Sequence, residues 1–439
     1  MKAPIKFQLI ILLPLILLAS CYPAPDAMFT EFYVSVHGDD ASGDGSMASP
    51  WRHVQYALDN LDYGSDPPPR LNILRGLYDE TLTITRSITI KGAGEWGPTS
   101  AWPSDPNYPN TNVSQINRIL TGEPPERFRS RTLTIRGTNT PTGNIVVNIS
   151  DMVFWGGNVY VEDGAAARFD HVQFLDVRNY VGLSIKDSPL FAVRDCEIIT
   201  AAREYSDFGI EVDNSIGVIE RTWLGDFFDH VIDIGKDNRI IIDDIEIHGS
   251  RIWYADGIRI RGANNITVKN SSIVRDHPDP EPATDTHSQS GISISGWTLS
   301  GYYKILLENN TIAGFNWGLD IAAEGFRVSA AENTISGLGH PVKISYHGYT
   351  GVTMPIIDFG GGSLGSAGGN TLIPPGFGFS FFHGGPYDIS ACGNDWGVAD
   401  SLVDSSRIYD QLDDAEMGRV QWQDCSTASS GYNFLALLK

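Results

Sequence analysis

The sequence predicts an all-β solenoid: a right-handed parallel β-helix of roughly ten coils, three strands per coil, with an N-terminal capping helix and a C-terminal cap. Three observations predict it. Apolar anchors recur at Phe154, Phe174, Ile198, Leu224, Ile247, Ile273, Ile312 and Ile335, at steps of 20, 24, 26, 23, 26, 39 and 23 residues. A period in this range marks stacked repeats that bury a core only together. Before each anchor the chain alternates by two. Positions two, five and seven residues earlier, such as Ile245, Ile242 and Ile240 before Ile247, form columns facing inward. Asn or Asp fills five of the eight places three before the anchors: Asp151, Asp195, Asp244, Asn270 and Asn309. These side chains tolerate left-handed backbone, as a repeated corner requires.

A third strand follows each anchor. It begins near Gly182, Gly209, His230, Gly257, Gly291, Gly318 and Pro341, and continues in triplets such as Ile258-Arg259-Ile260. The middle residues point outward and stack as Tyr160, Ser184, Glu211, Asp233, Arg259, Ser293, Asp320 and Lys343. Two residues further on lie Lys186, Asp213, Gly235, Arg261 and Ser295.

In chain order, residues 1–20 read as a secretory signal, with Lys2 and Lys6 before an apolar run from Phe7 to Leu18. Leu18-Ala19-Ser20-Cys21 resembles the bacterial lipobox. That resemblance implies lipidation at Cys21, a membrane anchor in the cell envelope, and, with Tyr22 following, the outer rather than the inner membrane. Residues 21–30 are a tether. Residues 31–70 hold a strand at Phe32–Val36, a Gly/Asp-rich loop at 37–47 read as a turn, and a helix from Ser49 to about Leu61. Ser49 is its expected N-cap and Pro50 its first residue. The β-helix spans 71–345. Within it, Leu71–Leu74 and Ile84–Lys91 form the first coil, Gly92–Arg131 an irregular excursion, and Leu133–Arg136 the resumption. Residues 346–439 form a last coil and cap, with an acidic segment at 405–419. This front end and the closing Gly393-Asn394-Asp395-Trp396-Gly397 resemble a group of bacterial β-helix lipoproteins whose front-end domain has no established function.

With 31 basic and 53 acidic residues the chain is too acidic for a general binder of nucleic acid. Removing residues 1–20 takes away Lys2 and Lys6, leaving 29 basic against 53 acidic residues, a formal −24. Cys196 falls in an inward column and reads as a small buried hydrophobe. Cys392 and Cys425 can pair in an oxidising compartment, two free thiols being the alternative. The chain reads as a monomer.

The connections before Gly209, Gly257 and Gly291 are longer than the others and raise a wall beside the third strand. They bring Tyr205, Phe208, Trp253 and Tyr254, and the insertion after Ile294 adds Trp297, Tyr302 and Tyr303. This face resembles the groove of the pectate-lyase type of β-helix enzyme. The resemblance implies Ca²⁺ on Glu211, Asp233 and Asp213, Arg259 as base, and Arg261, Lys186, Tyr254 and Trp297 as substrate contacts. Asp285-Thr286-His287 resembles an Asp-x-His segment of lyase-like β-helix proteins, which makes Asp285 and His287 further catalytic candidates; a solvated acidic loop is the other reading. The polygalacturonase pattern is represented only by Ala255-Asp256-Gly257, Gly339-His340-Pro341 and Val342-Lys343-Ile344.

Two functions follow. One is a surface lipoprotein that binds an acidic polysaccharide and, if it cleaves it, does so by Ca²⁺-assisted β-elimination as a polysaccharide lyase, or less readily as a glycoside hydrolase. The other is a non-catalytic surface or adhesion scaffold, whose alternating charges form cross-strand ion pairs.

Overall fold

The computed structural model describes residues 29–64, 66–93, 114–117, 131–138, 144–156, 158–175, 181–199, 208–225, 230–248, 256–262, 265–275, 289–297, 303–348, 353–374 and 378–423. The chain is a right-handed parallel β-helix. Among the described residues, one sheet of 23 strands carries the first two strands of each coil, and a second sheet of 12 strands carries the third. All of the strand pairs among the described residues are parallel. The anchors stack in register from Phe154 on Phe174 to Ile312 on Ile335, and Leu372 extends the column by a further coil.

At all eight places three before the anchors the backbone is left-handed, with φ between 46° at Arg221 and 57° at Asp151 and Glu332. His171, Arg221 and Glu332 hold this conformation as well as the Asn and Asp residues do. The stack imposes it: Asp195 and Arg221 each donate their N–H to the next coil, to Glu220 O at 3.2 Å and Asp243 O at 3.1 Å. A second left-handed column, Asp163, Asp187, Asn214 and Asn265, turns the chain after the third strand.

One inward column becomes polar towards the C-terminus. Asn310, Asn333 and Asn370 are buried and stack as a ladder. The Asn333 Oδ1 accepts from the Asn310 N–H at 3.0 Å and its Nδ2 at 2.9 Å, and the Asn333 Nδ2 donates to Asn370 Oδ1 at 2.9 Å and Leu307 O at 3.0 Å. Asn333→Ala leaves buried donors and acceptors unmatched on both neighbours, and is expected to cost about 3 kcal/mol. A lowered urea midpoint checks this; an unchanged one would mean water replaces the side chain.

The N-terminal helix covers the open end of the stack, but it is shorter than predicted. It spans Val54–Asn60 and buries Val54, Ala57 and Leu58. Ser49 and Pro50 do not start it, because Trp51 is drawn into the core and pairs with Val34 as a bridge. The cap comes from a distant carboxylate instead: Glu80 accepts the N–H groups of Val54 at 2.8 Å and Gln55 at 2.9 Å. The Gly/Asp loop is a turn, as expected; Asp39 accepts from Ala41 and Ser42, and Asp40 from Arg52 and His53. The excursion at 92–131 is not wholly irregular. Ser114–Asn117 is a strand of the stack, paired with Gly76–Asp79 and Val146–Trp155.

Stacking also continues past Ile344, through Phe381–His383 and Ile408–Tyr409 on the third-strand sheet. The period fades in sequence because Gly-rich turns replace side-chain columns. Asp358 organises one such turn by accepting four backbone N–H groups, from Gly360, Gly362, Leu364 and Ser366. Cys196 is free and buried, its thiol pushed up to about 12 by burial. Cys392 is disulfide-bonded, and its partner lies outside the described residues, as Cys425 does.

Candidate functional site

The third-strand ladder stacks in the expected order. Ser184 pairs with Glu211, Glu211 with Asp233, Asp233 with Arg259, Arg259 with Ser293, Ser293 with Asp320, and Asp320 with Lys343. Adjacent coils therefore place these groups about 4.8 Å apart at the backbone.

Asp233 is the centre of this ladder and is 0% exposed. The Arg259 Nε donates to its Oδ1 at 2.8 Å, the Arg261 Nε donates to the same oxygen at 3.1 Å, and a second Arg261 nitrogen takes Oδ2. Burial by itself would raise the Asp233 pKa. The hydrogen bonds from Arg259 and Arg261, with their charges, outweigh it and hold the carboxyl below its usual range. Glu211 is served separately, by Lys186 Nζ at 3.0 Å and by the Ser184 hydroxyl at 3.1 Å. Asp213 accepts the Lys236 N–H at 3.0 Å.

These carboxylates do not fit calcium. The ion needs six to eight oxygens, roughly, in one open shell. Asp233 has no exposed surface and both of its oxygens are held by guanidinium groups. Arg259 is equally committed as a donor and has no free base to offer. Among the described residues, one group offers metal-ligand atoms within 4.8 Å of one another: Asp170, His171 and Asp195. It lies at the corner between first and second strands, away from the ladder. Asp195 is there bound by Arg221 at 2.7 and 2.8 Å.

A second outward column runs beside the ladder, and sequence reasoning missed it. Phe208 stacks in register on His230, His230 precedes Asp256 in the next coil, and Ser290, Trp317 and His340 follow. The glycine that follows this column explains its direction. A Cβ on Gly257 would lie 2.6 Å from Ile273 Cγ2, and one on Gly291 2.2 Å from Ile312 Cγ2. The glycines thus face the core, and their predecessors face the ladder. Arg259 lies 5.7 Å over the Phe208 ring, and Lys343 Nζ 3.6 Å from the Trp317 ring centre. The sequence signal was present as the recurrent Gly at the strand start, but alternation alone does not show that two successive residues face inward.

In this column His230 and Asp256 are buried together, with Nδ1 3.5 Å from Oδ2. The Asp256 N–H approaches the His230 Nδ1 at 3.3 Å, and the Ser290 N–H donates to Asp256 Oδ1 at 2.8 Å. Burial pushes the Asp256 carboxyl up to about 6, against the pull of His230 and Arg259 and helped by Asp320. Asp320 is raised as well, by burial, with Lys343 Nζ 3.7 Å away opposing it.

Asp285, His287 and Tyr254 lie outside the described residues, as do Cys21 and Cys425. Trp297 closes the strand Ser290–Trp297 and pairs with Glu324. Tyr303 does not line the groove as predicted. It packs on Phe326, 5.0 Å between ring centres, against the core.

No family model matches the chain, and no curated protein matches it. Among solved structures, a pectate lyase is similar over 90% of this chain and 77% of its own, at 12% identity and a TM-score of 0.38. The A-module of an Azotobacter vinelandii mannuronan C-5 epimerase matches over 84% and 93%, at 12% identity and a TM-score of 0.47. DFA-IIIase from Arthrobacter chlorophenolicus A6, in complex with DFA-III, matches over 90% and 99%, at 10% identity and a TM-score of 0.46.

Proposed function

We propose that this β-helix is a lipid-anchored envelope protein that binds an acidic polysaccharide along its third-strand face. The anchor is Cys21 and the compartment the outer membrane. The observation that carries the binding reading is the arginine pair on Asp233. A fully buried carboxylate orients two guanidinium groups, and the Arg261 side chain remains 47% exposed. A guanidinium held in place loses little freedom when it meets a sugar carboxylate, and its donors match the carboxylate fork. From Ser184 to Lys343 the ladder and the positions two residues beyond it hold Lys186, Arg259, Arg261 and Lys343 against Glu211, Asp213, Asp233 and Asp320, so these charges balance in a chain of net −22. An anionic polymer meets least repulsion on this strip.

The scaffold reading rests on the same ion pairs, since Glu211, Asp233 and Asp320 each have a cationic neighbour. Binding separates the two. Affinity electrophoresis on polygalacturonate, alginate and hyaluronan, with neutral dextran as control, is expected to retard the protein on an acidic polymer only. Arg261→Gln is expected to weaken that binding about tenfold, the value of one charge-assisted contact. Equal mobility on every gel would leave the scaffold.

A further inference from the structure

We propose that the third-strand face reads the spacing of charge along its polymer, and that its ligand is an acidic heteropolysaccharide with one anionic sugar in about three, not an acid on every unit. The inference rests on the binding reading and narrows its substrate. It stands on a repeat among the cations. Lys186, Arg261 and Lys343 each stand over a carboxylate of a neighbouring coil. Lys186 Nζ lies 3.0 Å from Glu211, the Arg261 Nε 3.1 Å from Asp233, and Lys343 Nζ 3.7 Å from Asp320. In every pair the cation is outermost. The three cationic side chains are 44%, 47% and 25% exposed, against 12%, 0% and 10% for the acids beneath them. A polymer on this face therefore meets ammonium and guanidinium groups that buried charge already holds in place.

The pairs recur at a fixed interval. Lys186 is three stacking steps from Arg261, through Asp213 and Gly235. Arg259, which shares Asp233 with Arg261, is three steps from Lys343, through Ser293 and Asp320. Three steps of about 4.8 Å set a pitch of about 14 Å.

The steps between do not suit an anion. Asp213 is partly exposed and accepts a backbone N–H, from Lys236, so a carboxylate placed there meets a like charge. Gly235 and Ser293 carry no charge. A sugar is about as long as one stacking step, so a polyuronate with an acid on every unit sets most of its carboxylates on steps without a cation. A polymer with neutral sugars between its acids sets its carboxylates on the cations and its hydroxyl groups on the glycine and serine steps. Unspecific attraction strengthens with the charge density of a polymer. Reading by spacing reverses that order.

The test uses the full-length protein in detergent, by affinity electrophoresis on polygalacturonate and on hyaluronan. Each polymer is used native and after methyl esterification that leaves about one sugar in three or four charged, near the pitch of the cations. The expected result is binding to an esterified polymer that is at least about fivefold tighter than to its native form, the worth of one surface charge contact. Lys186→Gln and Lys343→Gln should each weaken that binding about tenfold, as the loss of one charge-assisted contact. Lys186→Gln suffices if Lys343, which also packs on Trp317, is needed for folding. A smaller preference, the reverse order, or esterified-polymer binding that survives either substitution in a folded protein overturns the spacing and leaves the binding reading. Retardation by no polymer in either form removes the binding reading and this one with it.

Discussion

Replacing Asp233 by Ala is expected to destabilise the folded protein by about 3–5 kcal/mol, the usual loss when one partner of a buried ion pair is removed. The alternative of a harmless surface change is ruled out by burial: Asp233 has no exposed surface, and two guanidinium groups converge on it. Without the carboxylate, Arg259 and Arg261 repel each other beside an apolar strand. The pH dependence has a definite sign. The folded pKa of Asp233 lies below its ordinary value. Its contribution is therefore full above the unfolded pKa, near 4, and is lost as pH falls towards the folded pKa. Urea unfolding of wild type and Asp233→Ala at neutral and acidic pH measures both. A difference under about 1 kcal/mol at neutral pH would show that the arginines relax into solvent.

Replacing Asp256 by Asn is expected to do the opposite and stabilise the fold. Here burial raises the carboxyl to about 6. Between the unfolded pKa near 4 and this value the folded state holds a proton that the unfolded state has lost, so stability falls as pH rises through that window. Above it the fold carries a buried charge. The neutral amide avoids it: its oxygen can accept from the Ser290 N–H and its nitrogen can donate to His230 Nδ1, the partners the carboxyl has now. A gain of about 3 kcal/mol at pH 7, vanishing by about pH 4, is expected from a shift of about two units at about 1.4 kcal/mol each. Melting curves at the two pH values check it. A variant less stable than wild type at pH 7 would mean that Asp256 is held charged by His230. The two carboxylates sit in neighbouring coils and respond in opposite directions, because one has two cations on its oxygens and the other does not. Stability given up at a site is a familiar mark of function.

The columns behind the fold were legible in the sequence. Ile240, Ile242, Ile245 and Ile247 announce two strands and a corner, and the stack of Ile247 on Ile273 follows from their period. Left-handed Asp244 and Asn270 were legible from residue type; left-handed His171, Arg221 and Glu332 were not, since only the stacked coils impose that conformation on them. The charged ladder from Glu211 to Lys343 was likewise readable as an order of residues.

What the order did not contain was how deep each group lies and which atoms it meets. Alternation made Asp233 an outward residue, the resemblance to a pectate-lyase groove implied a calcium ligand, and burial makes it a clamp for two arginines. Ser49 and Pro50 carried the local signature of a helix start, and the long-range pull of Trp51 into the core moved the start to Val54, where Glu80 supplies the cap. The column of His230, Asp256 and Ser290 was hidden for the same reason, because the glycines after it face the core only once the next coil is stacked against them. The period, the inward columns and the order of charges could be read along the chain, since they depend on local backbone geometry repeated from coil to coil. Burial, pairing and protonation emerge on folding, because each depends on residues one coil away that no local pattern brings together.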